Sequence, residues 1–271
     1  MVAPSSELET RLALNRLARR IGLLSVSALI SGVVVGGIGG RIFMRISAVA
    51  AGPEMIGRIT ENGNRVGEFT VFGTLTLIIF VGVFAGLAGS AILVAVDPWL
   101  RWMGPVIGLG YAVTSLAITG IGEGFETVDF LILQPRALNV TMFISLHVLF
   151  GVTVGGLYWL LNRQVPIDTD GSHSQIALVL YLLAGTIPAL GALLLFALLT
   201  IPSFCGCEPS YGIALLLLTL FGAMSVRHIA DLVDRTPSWV KPTASIVGYA
   251  ATVAFVGLGL VEVVTQIQRI L

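Results

Sequence analysis

Apolar residues fall along this chain in long, nearly unbroken blocks, not in the one-face stripes of a soluble amphipathic helix. Seven blocks stand out: Ile21–Ala48, Val71–Val96, Gly104–Ile121, Val140–Leu161, Ile176–Ile201, Tyr211–Val226 and Ala244–Val264. A helix needs about 20 apolar residues to cross the hydrocarbon core of a bilayer. The pattern therefore predicts an all-α, polytopic integral membrane protein, a bundle of seven transmembrane helices forming one domain over 1–271. The sixth block is the shortest, so it extends to Ile229 or stands nearly upright. The connecting loops are too short to hold a soluble domain of their own.

The segment before the first block has a different rhythm. Ser6-Glu7-Leu8-Glu9 has capping-box spacing, with Glu three residues after Ser. Leu8, Leu12 and Ala13 recur at helical spacing with Arg11, Arg16, Arg19 and Arg20 between them. Residues 5–20 are expected to lie in the membrane interface as an amphipathic helix leading into span one. Ala48-Val49-Ala50 mimics a signal-peptide cleavage site. The apolar run before it is too long, and Arg41 and Arg45 occupy what should be a neutral region, so a signal peptide is rejected.

Composition agrees with the blocks. Of 271 residues, 56% are apolar and only 11% charged, and the mean hydropathy is +0.96. So few charges cannot cover the surface of a soluble fold of this size, where Lys, Glu, Arg and Asp stay outside. The 15 basic and 15 acidic residues cancel. That balance excludes disorder driven by charge and offers no basic footprint for nucleic acid.

Lys and Arg in the loops set the orientation. With seven spans, the N-terminus and the second, fourth and sixth loops share a side. That side carries Arg11, Arg16, Arg19, Arg20, Arg101, Arg163, Arg227, Arg235 and Lys241. Arg41, Arg45, Arg58, Arg65, Arg136 and Arg269 fall on the other. The imbalance predicts a cytoplasmic N-terminus and an outer C-terminus, in a cytoplasmic membrane of bacterial type. Trp99, Trp102, Trp159 and Trp239 all fall near the same cytoplasmic interface, where an amphipathic indole is favoured.

Glycines recur four apart inside the spans: Gly32, Gly36 and Gly40; Gly82 and Gly86; Gly104 and Gly108; Gly151 and Gly155. Such spacing lets helix backbones approach where lipid supplies no hydrophobic drive. Packing within the chain is the expected use; contact with a second copy or a membrane-complex partner is the alternative. Pro188 should kink or locally unwind span five. Short echoes, such as Gly37-Ile38-Gly39 and Gly120-Ile121-Gly122, are no more than this composition produces by chance.

Few residues could carry chemistry. Arg41 and Arg45 share a helix face near the outer boundary. The acidic third loop, with Glu123, Glu126 and Asp129, is expected on the same side. A structural ion-pair cluster is the best use for these five; an outer solute site is the alternative. His147 should lie roughly 12 Å below the outer edge. It is a candidate for an interhelical hydrogen bond to Thr114, Ser115 or Thr119, and alternatively for an intramembrane polar site with Thr119 and Pro188. Cys205 and Cys207 are the only cysteines. They form a candidate disulfide in an outward loop.

There is no phosphate-binding Gly-x-x-x-x-Gly-Lys-Ser/Thr loop and no His-Glu-x-x-His zinc pair. The single lysine, Lys241, sits beside Pro242 in a loop, so no span offers a retinal Schiff base. No cofactor or metal is expected, and the lipid bilayer is the one certain partner. A non-enzymatic structural or accessory membrane subunit fits best. A small-solute or ion transporter with a site near span four and a kinked span five is the alternative.

Overall fold

The computed structural model describes residues 4–59, 65–66, 70–121, 134–164, 174–201, 211–232 and 236–271, and for 4–9, 11 and 174–184 the backbone alone. Among the described residues the only β pairing is one isolated bridge, Ile59 to Arg65. All other regular structure is helical. In chain order the α-helices are α1 (Pro4–Ser31), α2 (Gly40–Ala50), α3 (Val71–Leu77), α4 (Phe84–Leu100), α5 (Ile107–Ile121), α6 (Arg136–Gln164), α7 (Ser174–Thr200), α8 (Tyr211–Leu232) and α9 (Val240–Ile270).

Five helices are long and apolar enough to cross a membrane: Leu12–Ala50, Val71–Ile121, Arg136–Gln164, Tyr211–Asp231 and Val240–Ile270. Gly185–Thr200 is a shorter apolar helix. Their surfaces are inverted relative to a soluble protein. Ile246, Val253, Leu193 and Leu215 are exposed, while Ser27, Ser47, Ser90, Thr114, Asn139 and Gln266 are buried. Outward apolar side chains over small and polar interior ones are what lipid-facing helices need. The chain is an integral membrane protein of helical type.

The expected interfacial helix and span one are a single continuous run from Pro4 to Ala50, with no break near residue 20. Gly22 falls at the join, but no proline interrupts it, and the helix runs through. Within the run, Gly32–Gly39 is π-helical, as is Ile78–Val83 in the second run, and the two wide segments pack on each other. Wider turns are usually short insertions into α-helices. Here glycine makes the contact: a Cβ on Gly32 would overlap the Gly82 carbonyl and lie 2.6 Å from Gly86 Cα.

The run Val71–Ile121 contains a sharp break. Gly104 adopts φ +54° and ψ −124°, and Pro105 follows. L-residues with a Cβ avoid that conformation, so only glycine turns the chain there without strain. Gly104 is thus a turn residue, not half of a close-packing pair with Gly108, and a Cβ on it would meet nothing within 4 Å. Pro188 lies inside α7, which continues helical through it; the expected unwinding does not occur.

The chain divides into two compact units. Unit one comprises Met1–Ala28, Leu87–Gly104 and Gly156–Phe255; unit two comprises Leu29–Gly86, Pro105–Gly155 and Val256–Leu271. Unit one buries Leu24, Ile92, Leu93, Val96, Trp99, Leu220 and Phe255. In unit two, Val140, Val263 and Ile270 form a core with Phe43, Leu116, Phe143, Ile144 and Ile267 against it. A second small cluster there joins Ala48, Ala51, Met55 and Val66.

Candidate functional site

In unit two, α5 presents Ser115 and Thr119 one turn apart on a single face, and α6 presents His147 to both. Ser115 Oγ lies 3.2 Å from His147 Nδ1, and Thr119 Oγ1 lies 3.1 Å from Nε2. Phe143, one turn earlier on α6, meets the imidazole edge-on with centroids 5.1 Å apart. Glycine brings the helices close enough for this. A Cβ on Gly151, one turn after His147, would overlap the Ala112 backbone and the Gly108 carbonyl.

Both hydroxyls also bond to their own helix, as Ser and Thr do in apolar surroundings. Ser115 Oγ donates to Ala112 O at 2.9 Å, and Thr119 Oγ1 donates to Ser115 O at 3.2 Å. A neutral imidazole has one N–H and one bare nitrogen. It must therefore donate to one hydroxyl and accept from the other. Thr119 has the longer backbone bond, so its proton is the one that turns to Nε2. Ser115 then keeps its bond to Ala112 and accepts from Nδ1–H. The network assigns the proton to Nδ1.

Other buried polar groups in unit two are tied in the same way. Ser47 Oγ donates to Asn139 Oδ1 at 2.6 Å. Gln266 Nε2 donates to Gly120 O at 2.7 Å and approaches Glu262 Oε1 at 3.5 Å. That contact pairs Glu262 with a residue one turn along its own helix. Arg136 Nη1 donates to Ile270 O at 2.9 Å and so holds the C-terminal end of α9.

Unit one holds a charged cluster that the sequence reading missed. Asp97 is 3% exposed at the end of α4. Arg20 binds it with Nε to Oδ2 at 2.8 Å and Nη2 to Oδ1 at 2.9 Å. Arg101, one turn on, donates to Oδ2 from Nε at 3.1 Å and from Nη2 at 3.0 Å. Arg19 is buried as well, and reaches Asn162 Oδ1 at 2.7 Å and the Asn162 carbonyl at 2.8 Å. Arg19 and Arg20 thus both engage protein groups. The one local signal in the sequence is the i,i+4 spacing of Asp97 to Arg101, which says nothing of Arg20.

Trp99 departs from its expected role as an interface anchor. It is 1% exposed, lies against Gly248, and meets Tyr249 with ring centroids 5.4 Å apart and planes tilted by 60°. Gly248 leaves the flat space the indole fills. Trp102, Trp159 and Trp239 are exposed.

Of the other expected site residues, Arg41 is half-buried and Arg45 exposed on α2. Glu123, Glu126, Asp129, Cys205 and Cys207 lie outside the described residues. Pro188 belongs to unit one, whereas His147 and Thr119 belong to unit two. Among the described residues, no three His, Cys, Asp or Glu side chains are grouped to hold a metal ion. No family model, curated protein or solved structure matches the chain.

Proposed function

We propose that this chain is a non-enzymatic structural or accessory membrane subunit, folded as seven spans with its N-terminus cytoplasmic and its C-terminus outside. The seven-span count rests on two additions to the five long helices. Val71–Ile121 turns at Gly104 into two spans, and Ser174–Thr200 supplies another. The sidedness rests on the excess of Lys and Arg in the N-terminal segment and in the second, fourth and sixth loops. Cys205 and Cys207 then face the outer, oxidising side, where they close a disulfide. Arg41 and Arg45 pair with the acidic loop of Glu123, Glu126 and Asp129.

The observation that carries the accessory role is how His147 is used. Both ring nitrogens are taken by hydroxyls of the facing helix, at a crossing where glycine brings the backbones together. That arrangement locks helices; it leaves the ring no free nitrogen for a solute. The glycines at the closest crossings contact neighbouring helices of the same chain, so accessory contacts with a second copy or a partner subunit fall to the outward faces. The transporter reading draws on the same imidazole, which could exchange a proton between Thr119 and Ser115.

Cysteine accessibility separates the two. Ser115→Cys and Thr119→Cys, each in a background lacking Cys205 and Cys207, should resist small methanethiosulfonate reagents from both sides of sealed vesicles. Reaction from either side reveals a water path to His147 and favours transport.

A further inference from the structure

We infer that the face of α9 around Glu262 docks a transmembrane helix of a partner subunit, one that carries a lysine or arginine at the depth of that carboxylate. The inference rests on the accessory role and names where, and by what chemistry, the partner is recognised.

Depth is the first observation. α9 has 31 residues, about 46 Å of helix, against a hydrocarbon core of about 30 Å. Centred in the membrane, it reaches about 8 Å past each boundary. Glu262 lies two turns before the end at Ile270, about 12 Å along the helix, so its Cα sits about 4 Å inside the hydrocarbon. An ionisable side chain there is costly and calls for a partner.

The second observation is that this chain supplies no cation for it. Among the described residues the carboxylate receives only Gln266 Nε2, at 3.5 Å, while the same amide donates at 2.7 Å to Gly120 O. Glu262 enters none of the ion pairs among the described residues. Residues 122–133, which follow α5, contain Glu123, Glu126 and Asp129 and no Lys or Arg. Arg235 is the only arginine outside the described residues, and it precedes the start of α9 at Val240. The chain between them spans at most about 18 Å, and the helix from Val240 to Glu262 is about 33 Å long.

The third observation is the surface beside the carboxylate. Gly259 turns inward, where a Cβ would overlap Ala117. Next to Glu262 on the outward side, Leu258 is 58%, Val261 65% and Val264 54% exposed. A Cβ on Gly257 would meet nothing within 4 Å. Glycine among apolar residues lets a second backbone approach where lipid gives no hydrophobic drive. With a carboxylate at its edge, the surface is matched by a helix whose polar group is a cationic donor. A second copy of this chain fits less well, because a two-fold pair of α9 helices sets two Glu262 carboxylates at one depth.

The test places the full chain in phosphatidylcholine vesicles, with a donor dye at Gln268→Cys in a background lacking Cys205 and Cys207. The probe is a polyleucine transmembrane peptide bearing an acceptor dye and one lysine about 4 Å inside the boundary, or its all-leucine counterpart. Energy transfer should show the lysine peptide associating roughly fivefold more tightly, the scale of one interhelical hydrogen bond in a membrane. Glu262→Gln should remove that preference. Gly257→Leu should weaken association by a similar factor and leave thermal unfolding unchanged, since the chain leaves that position open. Gly222→Leu, equally open but in unit one, should change neither. No lysine preference in wild type, or one that survives Glu262→Gln, overturns the charge match. An equal loss in Gly222→Leu overturns the face. Energy transfer between labelled copies of the chain that Gly257→Leu abolishes overturns the partner subunit in favour of a second copy. The accessory role fails separately, through reagent access at Ser115→Cys or Thr119→Cys.

Discussion

Arg20 holds Asp97 in a two-pronged grip, Nε to Oδ2 at 2.8 Å and Nη2 to Oδ1 at 2.9 Å, joining residues 77 positions apart. The parallel geometry matches the guanidinium fork to the carboxylate. Arg101 approaches only Oδ2, from one turn along the same helical run. Neutralising the carboxylate removes the anionic acceptor that both arginines share. Asp97→Asn should therefore destabilise the protein by about 2–4 kcal/mol, below the upper end for a fully buried pair because both arginines are partly exposed. A double-mutant cycle read by thermal unfolding in detergent should give Arg20→Gln a larger coupling to Asp97→Asn than Arg101→Gln. The reverse order would mean that the local i,i+4 pair, not the long-range fork, carries the energy.

Glycine substitutions should sort by what a methyl group would meet. Gly151→Ala would force Cβ against the Ala112 backbone, with Cα at 2.6 Å, and Gly120→Ala against the Gly259 carbonyl. Each should cost about 1–3 kcal/mol, the range for overpacking a tight contact. Gly156 and Gly222 have nothing within 4 Å of the same position. Gly156→Ala and Gly222→Ala should be neutral or stabilising by up to about 1 kcal/mol through helix propensity. Equal effects at all four sites would contradict the close crossings.

The His147 network predicts a tautomer. In protein labelled with 15N-histidine, the His147 signal, assigned by its loss in His147→Phe, should report a proton on Nδ1. A proton on Nε2 would show that Ser115, not Thr119, gives up its backbone bond. Ser115→Ala and Thr119→Ala should each cost about 0.5–1.5 kcal/mol, the usual scale for interhelical hydrogen bonds in membranes.

Arg41 and Arg45 should couple to the third loop. Double-mutant cycles of Arg41→Ala or Arg45→Ala against Glu123→Ala, Glu126→Ala and Asp129→Ala should show about 1 kcal/mol or more in at least one pair. Additivity in every combination would leave the arginines reaching for headgroups instead.

The membrane class was legible because it depends on bulk composition and block length, which need no knowledge of packing. The partners of His147 were legible for a related reason: adjacent apolar spans offered few hydroxyls, and Ser115 and Thr119 were two of them. Asp97 was not, because a single carboxylate ending an apolar run looks like a boundary residue. Its main partner lies on another helix, which spacing along the chain cannot reveal. Trp99 was misplaced for the complementary reason. Its burial depends on the gap at Gly248, far away in sequence. The π-helical segments had no sequence signal either, since they arise where two glycine-bearing helices meet. Gly104 was read as a packing glycine because its spacing to Gly108 fits that motif; its positive φ is a property of the folded backbone.

The seven-span bundle is tested most directly at Trp102, an exposed side chain two residues before the turn at Gly104. Trp102→Cys, in a chain lacking Cys205 and Cys207, is treated with a membrane-impermeant maleimide in inside-out and right-side-out vesicles. A cytoplasmic turn between spans two and three predicts labelling in inside-out vesicles alone. Labelling in right-side-out vesicles would reverse the orientation, and protection in both would make Val71–Ile121 a single crossing and contradict the seven-span count.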